Sequence, residues 1–166
     1  ERAVYELEHV GSGDITLMHC TSSYPCPFNE VNLRAMHTIS EAFGYKVGYS
    51  DHTQGIIVPI AAVALGAVAI EKHFTLDKKL PGPDHLASIE PNELRLMIES
   101  IRNIEVALGD GKKRPSQSEK ATKEAVRRSI VAACPIKKGT IFSYDNITTK
   151  RTGQKGLPSE MWDYVI

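Results

Sequence analysis

The sequence predicts an α/β protein built on a parallel sheet, followed by a smaller β-rich module. Three observations carry this. Strand-like apolar runs alternate with helical patterns three times between residues 14 and 109, the pattern of a parallel sheet with crossover helices. The units repeat at roughly 25 residues, which suits βα construction. After residue 110 the texture turns polar and charged, and then short strand-like runs appear.

In chain order, residues 1–10 read as the end of a helix closed by Gly-Ser-Gly, and "DITLMHC" as a strand that runs into the loop "TSSYPCPF". "NEVNLRAMHTISEAFG" is amphipathic, with Leu33, Met36, Ile39 and Phe43 at helical spacing. Asn29 is its expected cap and Gly44 its expected end. "KVGYSDH" is a second strand. "GIIVPIAAVALG" is a short apolar helix, with Pro59 near the first turn, where proline is tolerated. "AVAIEKHFTL" is a third strand and "DKKLPGPDHLAS" a polar loop. "EPNELRLMIESIRNIEVALG" is a long helix opened by Pro91 and closed by Gly109. "DGKKRPSQSEKATKEAVRR" has no apolar face before Val126 and reads as a linker. The rest reads as short strands around a Lys-Lys-Gly turn. Two architectures accommodate the βα units: part of a (β/α)8 barrel, which takes about 250 residues when closed, or an open doubly wound sheet. No GxGxxG loop supports the second.

Composition excludes several classes. The 166 residues are 42% hydrophobic and 24% charged, with formal net charge zero, so broad attraction to nucleic acid or an anionic membrane is not expected. The most apolar run, "GIIVPIAAVALGAVAI", is too short for a membrane span of about 20 residues. The N-terminus has no signal-peptide pattern. Cys20, Cys26 and Cys134 are odd in number and fit no zinc or CxxC spacing. Reduced, buried or half-buried thiols and a cytoplasmic setting are expected.

Two histidines stand at corresponding points of successive units, His52 in "GYSDHTQG" and His73 in "IEKHFTLD". Strands of a parallel sheet point the same way, so their C-terminal ends gather at one end of the sheet. Alternation puts Gly48, Ser50 and His52 on one face, and Ala69, Glu71 and His73 on one face. If both faces point inward, the imidazoles converge. Two neutral imidazoles near the acids Asp51, Glu71 and Asp84 suit a divalent transition metal. The other reading is that each is a hydrogen-bonded residue at a strand end. Lys72 and Lys78 read as solvated surface lysines. His9, His19, His37 and His85 read as structural or surface residues.

"HCTSSYPCPF", "VGYSDHT", "AIEKHFTLD" and "PGPDHLASIEP", in that order and spacing, resemble the sialic acid synthase family, which includes N-acetylneuraminate, legionaminate and pseudaminate synthases. "RRSIVA", "IKKGTIF" and "KR" resemble the start of the antifreeze-like (SAF) domain that follows the barrel in that family. The resemblance implies strands six to eight of a (β/α)8 barrel over residues 1–110, a linker over 111–126 and a partial antifreeze-like domain over 127–166. It implies a metal-dependent transferase, using Mn or Mg, that condenses phosphoenolpyruvate with an N-acetylated mannosamine-type sugar to a nine-carbon 2-keto acid and phosphate. His52 and His73 are then the metal ligands, with Glu71 beside them in the catalytic centre. Ser50 and Ser22 match phosphoenolpyruvate contacts, although some members carry Asn in place of Ser22. Tyr24 and Asp84 match sugar contacts. Arg151 matches an arginine that reaches the other subunit's sugar site in a domain-swapped homodimer, although Thr152 departs from the usual proline after it. The family's phosphate-binding lysines lie in earlier strands, so the chain alone is expected to be an incomplete, inactive enzyme. Its exposed sheet edges predict self-association or instability. The alternative is a non-catalytic carbohydrate- or anion-binding module. A keto-sugar-phosphate synthase is less favoured, because no phosphorylated-sugar site is visible.

Overall fold

The computed structural model describes residues 1–153 and 155–166, the side chain of Glu124 excepted. The chain folds as two compact units, Glu1–Gly111 and Lys112–Ile166.

The first unit contains helix α1 (Arg2–His9), strand β1 (Thr16–Cys20), helix α2 (Ala35–Phe43), strand β2 (Lys46–Asp51), helix α3 (Ile57–Ala64), strand β3 (Ile70–Lys72) and helix α4 (Pro91–Leu108). The strands form a parallel sheet in the order β1-β2-β3, as the alternation of elements predicts. An isolated parallel bridge, Phe74 to Ile89, continues past β3. Helix α2 starts later than expected. Phe28–Glu30 form a short 3-10 turn, and Asn32 takes a left-handed φ of 48° that no helix can pass through. The helix therefore begins at Ala35, and Asn29 does not cap it. Gly44 ends it in the left-handed conformation, with its N–H on the Ser40 carbonyl. Helix α4 is opened by Pro91 and by a reciprocal capping box between Glu90 and Glu93.

The core packs Val47 and Tyr49 of β2 against Met36 of α2 and Val58 and Ala62 of α3, with Val31 and Cys26 from the loop after β1. Cys26 is buried as expected, whereas Cys20 and Cys134 are exposed. Gly48 faces the other side, where a Cβ would come within 2.8 Å of the Ala69 carbonyl oxygen and against Met18. Tyr49 is fully buried. Burial pushes its hydroxyl well above the ordinary tyrosine range, and the negative charge of Asp51 adds to the shift. The fold therefore holds this proton where the unfolded chain would release it, near pH 10. The contribution is intact below that pH and is lost as pH rises beyond it. Urea midpoints measured at pH 8 and at about pH 10.5 are expected to fall less in Tyr49→Phe than in the unmodified chain.

The second unit contains helix α5 (Gln117–Val126), strands β4 (Arg128–Ala132), β5 (Ile147–Arg151) and β6 (Leu157–Pro158), and a last short helix α6 (Trp162–Val165). Strand β4 is central, with β5 and β6 antiparallel on either side. Ile130 and Ile147 fill the interior. The Lys137-Lys138-Gly139 turn lies in the long connection between β4 and β5. Residues 111–126, expected as a linker, contain α5. Ser116 and Glu119 form a complete capping box there, which satisfies two orphan N–H groups and nucleates a helix that has little apolar surface. Among the described residues, no helix is long and apolar enough to cross a membrane.

Candidate functional site

The C-terminal ends of the parallel strands carry the side chains singled out in the sequence. His52 follows β2 by one residue and His73 follows β3 by one. The backbone of each is anchored by a neighbouring segment: the His52 carbonyl accepts from the Cys26 N–H at 2.8 Å, and the His73 carbonyl accepts from the Ile89 N–H at 3.0 Å. Their rings come together, with centroids 5.2 Å apart and planes at 86°.

Tyr24 packs against both. Its ring stacks on His73 at 4.3 Å and meets His52 edge-on at 5.3 Å. Its hydroxyl lies 3.1 Å from Ser88 Oγ and donates to the Asp84 carbonyl at 3.2 Å. The Asp84 carboxylate stands 3.7 Å from His73 Nδ1. One layer below, Ser50 and Glu71 are register partners on the same face, and Ser50 Oγ donates to Glu71 Oε1 at 2.6 Å. Cys20 is the register partner of Ser50 on β1, with its sulfur 3.9 Å from His52 Nδ1.

His52 Nδ1 lies 2.7 Å from the Thr21 carbonyl oxygen. A carbonyl only accepts, so Nδ1 carries the hydrogen and donates. In the neutral ring the lone pair is then on Nε2, the arrangement of a metal-ligating histidine whose other nitrogen is tied to a backbone carbonyl. The donor chemistry of the pair suits a borderline divalent ion. Among the described residues no group of three or more His, Cys, Asp or Glu side chains converges on a metal position. An ion on the pair would have coordination positions left for water or substrate, as a catalytic site requires.

Two other expected residues stand apart from this cluster. Ser22 is exposed on the loop after β1 and, among the described residues, makes no side-chain hydrogen bond. Arg151 is exposed at the end of β5, opposite Arg128, in the second unit. Asp51 does not join the imidazoles either. It follows the opposite parity and is fully buried in the layer against the helices.

Lys72 is a correction: it is not a solvated lysine. Its side chain is 3% exposed, and its ammonium donates at 2.6 Å both to Asp51 Oδ2 and to the Thr53 carbonyl. Position 72 alternates to the helix side of β3, which no solvent-facing side chain can occupy. Lys78 is half-buried and ion-paired with Glu93 at 2.5 Å. That ammonium, with the Glu90 backbone N–H, holds the Glu93 carboxyl below its usual range. His85 is fixed by Thr75 Oγ1 at 2.8 Å from its Nδ1.

Comparison with known proteins gives the family. Residues 1–113 match the NeuB family, and residues 127–166 match the SAF domain. The chain belongs to the NeuB family. This NeuB-family chain is 59% identical over 138 residues to an N,N'-diacetyllegionaminic acid synthase of Campylobacter jejuni, covering 83% of the chain and 41% of that protein. It is 48% identical over 151 residues to the enzyme of the same name from Legionella pneumophila, covering 91% of the chain and 42% of that protein. A crystal structure of the N-acetylneuraminic acid synthetase of Leptospira borgpetersenii superposes with a TM-score of 0.64 at 38% identity, covering 74% of the chain and 43% of that structure. The NeuB-family chain spans less than half the length of these relatives.

Proposed function

We propose that this chain forms one side of the active site of a sugar-acid synthase that condenses phosphoenolpyruvate with N-acetylmannosamine or a related acetamido sugar. The products are a nine-carbon 2-keto acid and phosphate. The observation that carries the reading is the convergence of His52 and His73, with His52 Nδ1 committed to the Thr21 carbonyl. On the same reading the sheet β1-β2-β3 corresponds to strands six to eight of a closed (β/α)8 barrel, and the protein is a cytoplasmic, domain-swapped homodimer.

His52 and His73 would hold a divalent ion, Mn or Mg, which when bound supplies Lewis-acid polarisation of a carbonyl oxygen. The Asp84 carboxylate is exposed beside His73 and accepts hydrogen bonds from sugar hydroxyls, the stronger for its charge. Tyr24 presents a ring face to the same space, while its hydroxyl ties the loop to Ser88. Glu71 holds the Ser50 hydroxyl in one orientation, so that Ser50 meets the phosphoenolpyruvate end of the site with its oxygen already placed. Ser22 and Arg151 are the remaining substrate contacts on this reading, Arg151 reaching the site of the other subunit.

Titration of this chain with Mn, followed by electron paramagnetic resonance, tests the reading. His52→Ala and His73→Ala are each expected to weaken binding at least about tenfold. Unchanged affinity in both variants would overturn it. Mixed with phosphoenolpyruvate, N-acetylmannosamine and Mn, the chain alone is expected to release no phosphate, whereas a longer protein containing it is expected to turn over.

A further inference from the structure

We propose that the buried Asp51–Lys72 pair is a positioning device that fixes the separation of His52 and His73. This inference rests on the reading above, in which the two imidazoles act together.

Asp51 immediately precedes His52, and Lys72 immediately precedes His73. The two are also register partners, the last rung of the β2–β3 ladder. Among the described residues the β2–β3 ladder ends at that rung, one residue short of each histidine. The side chains take over on the helix side of the sheet. Lys72 Nζ bonds Asp51 Oδ2 and the Thr53 carbonyl, each at 2.6 Å. Asp51 Oδ1 accepts from the Thr53 N–H at 2.9 Å, and Oδ2 accepts from Thr53 Oγ1 at 3.2 Å. Every polar group of Thr53 is thus tied down on one side of His52, and Asp51 is tied down on the other. The residue between them has little freedom of φ and ψ, and the same ammonium fixes the strand that delivers His73.

An ion pair with side-chain exposures of 0% and 3% is a poor way to gain stability. Desolvation of both charges cancels most of their attraction, and a well-packed apolar pair serves folding equally well. What the charged pair adds is geometry. Short, charge-assisted bonds have a narrow optimum, and two of them meet at one ammonium. Among the described residues the bonds of the pair go to each other and to Thr53 and not to either imidazole, so it acts through the backbone.

The double variant D51N/K72M separates positioning from folding, because it removes both charges and leaves neither unpaired. Its urea midpoint is expected to lie close to that of the unmodified chain and well above that of Lys72→Met. Its Mn affinity is expected to fall about 10- to 100-fold, the usual cost of losing support around a metal ligand. The ring-to-ring nuclear Overhauser effect between His52 and His73, recorded without metal, is expected to weaken. A folded D51N/K72M that keeps both the ring contact and the affinity overturns the proposal. If the unmodified chain binds no Mn but D51N/K72M loses the ring contact, the positioning role stands and the metal reading fails. If D51N/K72M does not fold, Thr53→Val is read by the same two measurements. It removes one hydroxyl bond to Asp51, and a loss of about threefold is expected, with an unchanged ring contact and affinity again overturning the proposal.

Discussion

Lys72→Met alone is expected to be the most damaging single change in the first unit, costing about 3–5 kcal/mol. Methionine fills most of the lysine's volume, so the loss does not come from a cavity. It comes from the Asp51 carboxylate, which is fully buried and would keep its bonds to Thr53 while losing the ammonium that neutralises it. Domains of this size are stable by about 5–15 kcal/mol in total, so the change removes a large share. Urea unfolding followed by far-ultraviolet circular dichroism should show a lower midpoint at an unchanged slope. Adding Asp51→Asn should restore most of the loss, a non-additivity that identifies the orphaned charge as its cause. A midpoint that does not move in Lys72→Met would mean that the carboxylate finds water or a proton, and that the pair is not under the constraint described.

Gly156→Ala is expected to be comparably severe in the second unit. Gly156 has φ of +116°, far from any region that an L-residue occupies comfortably. A Cβ there would also stand 2.7 Å from the Ile130 carbonyl oxygen and 3.1 Å from Ser129 Cβ. The first neighbour is backbone in the central strand and cannot turn aside. Strain and collision together are expected to cost at least about 2 kcal/mol and to peel β6 away from β4. The chain has one tryptophan, Trp162, which lies in this unit just past β6. Its emission during urea unfolding reads the effect directly. Gly153→Ala is the control. It shares a positive φ, +62°, but a Cβ there meets nothing within 4 Å, so a smaller shift is expected. Equal shifts in the two variants would mean that the close approach to Ile130 carries no weight.

The sequence was legible wherever local pattern and tertiary structure agree. The βα alternation, the Gly44 stop and the Pro91 start all follow from side-chain periodicity and backbone restriction, and the structure realises each. The meeting of His52 and His73 follows from strand parity once the sheet is taken as parallel. The same parity argument, carried one residue further, places Asp51 and Lys72 together on the other face, because one offset of 21 residues relates Ser50 to Glu71, Asp51 to Lys72 and His52 to His73. Lys72 reads as a surface residue in sequence because a lysine is ordinarily solvated, and its partner becomes visible only when the register is known. Helix α5 was legible in principle, since Ser116 and Glu119 have capping-box spacing, but a polar helix lacks the apolar stripe by which helices are usually found. The left-handed turn at Asn32 and the bond from Tyr24 to Ser88, 64 residues away, leave no trace in local sequence.

The connection after β3 is divided into parts with unequal freedom. Thr75, Asp77 and Lys78 are tied to His85, Lys79 and Glu90, and Asp84 to Ser88 form a bonded turn fastened to Tyr24. Between these anchors Leu80, Pro81, Gly82 and Pro83 are exposed, so changes of side chain at Leu80, Pro81 and Pro83 are accommodated at low cost, whereas Gly82, with φ of +145° and the His85 ring 3.0 Å from where a Cβ would stand, is held to glycine. The rim beside the imidazoles can thus change its bulk and polarity at three positions, with the two rings and their aromatic neighbour left where they stand.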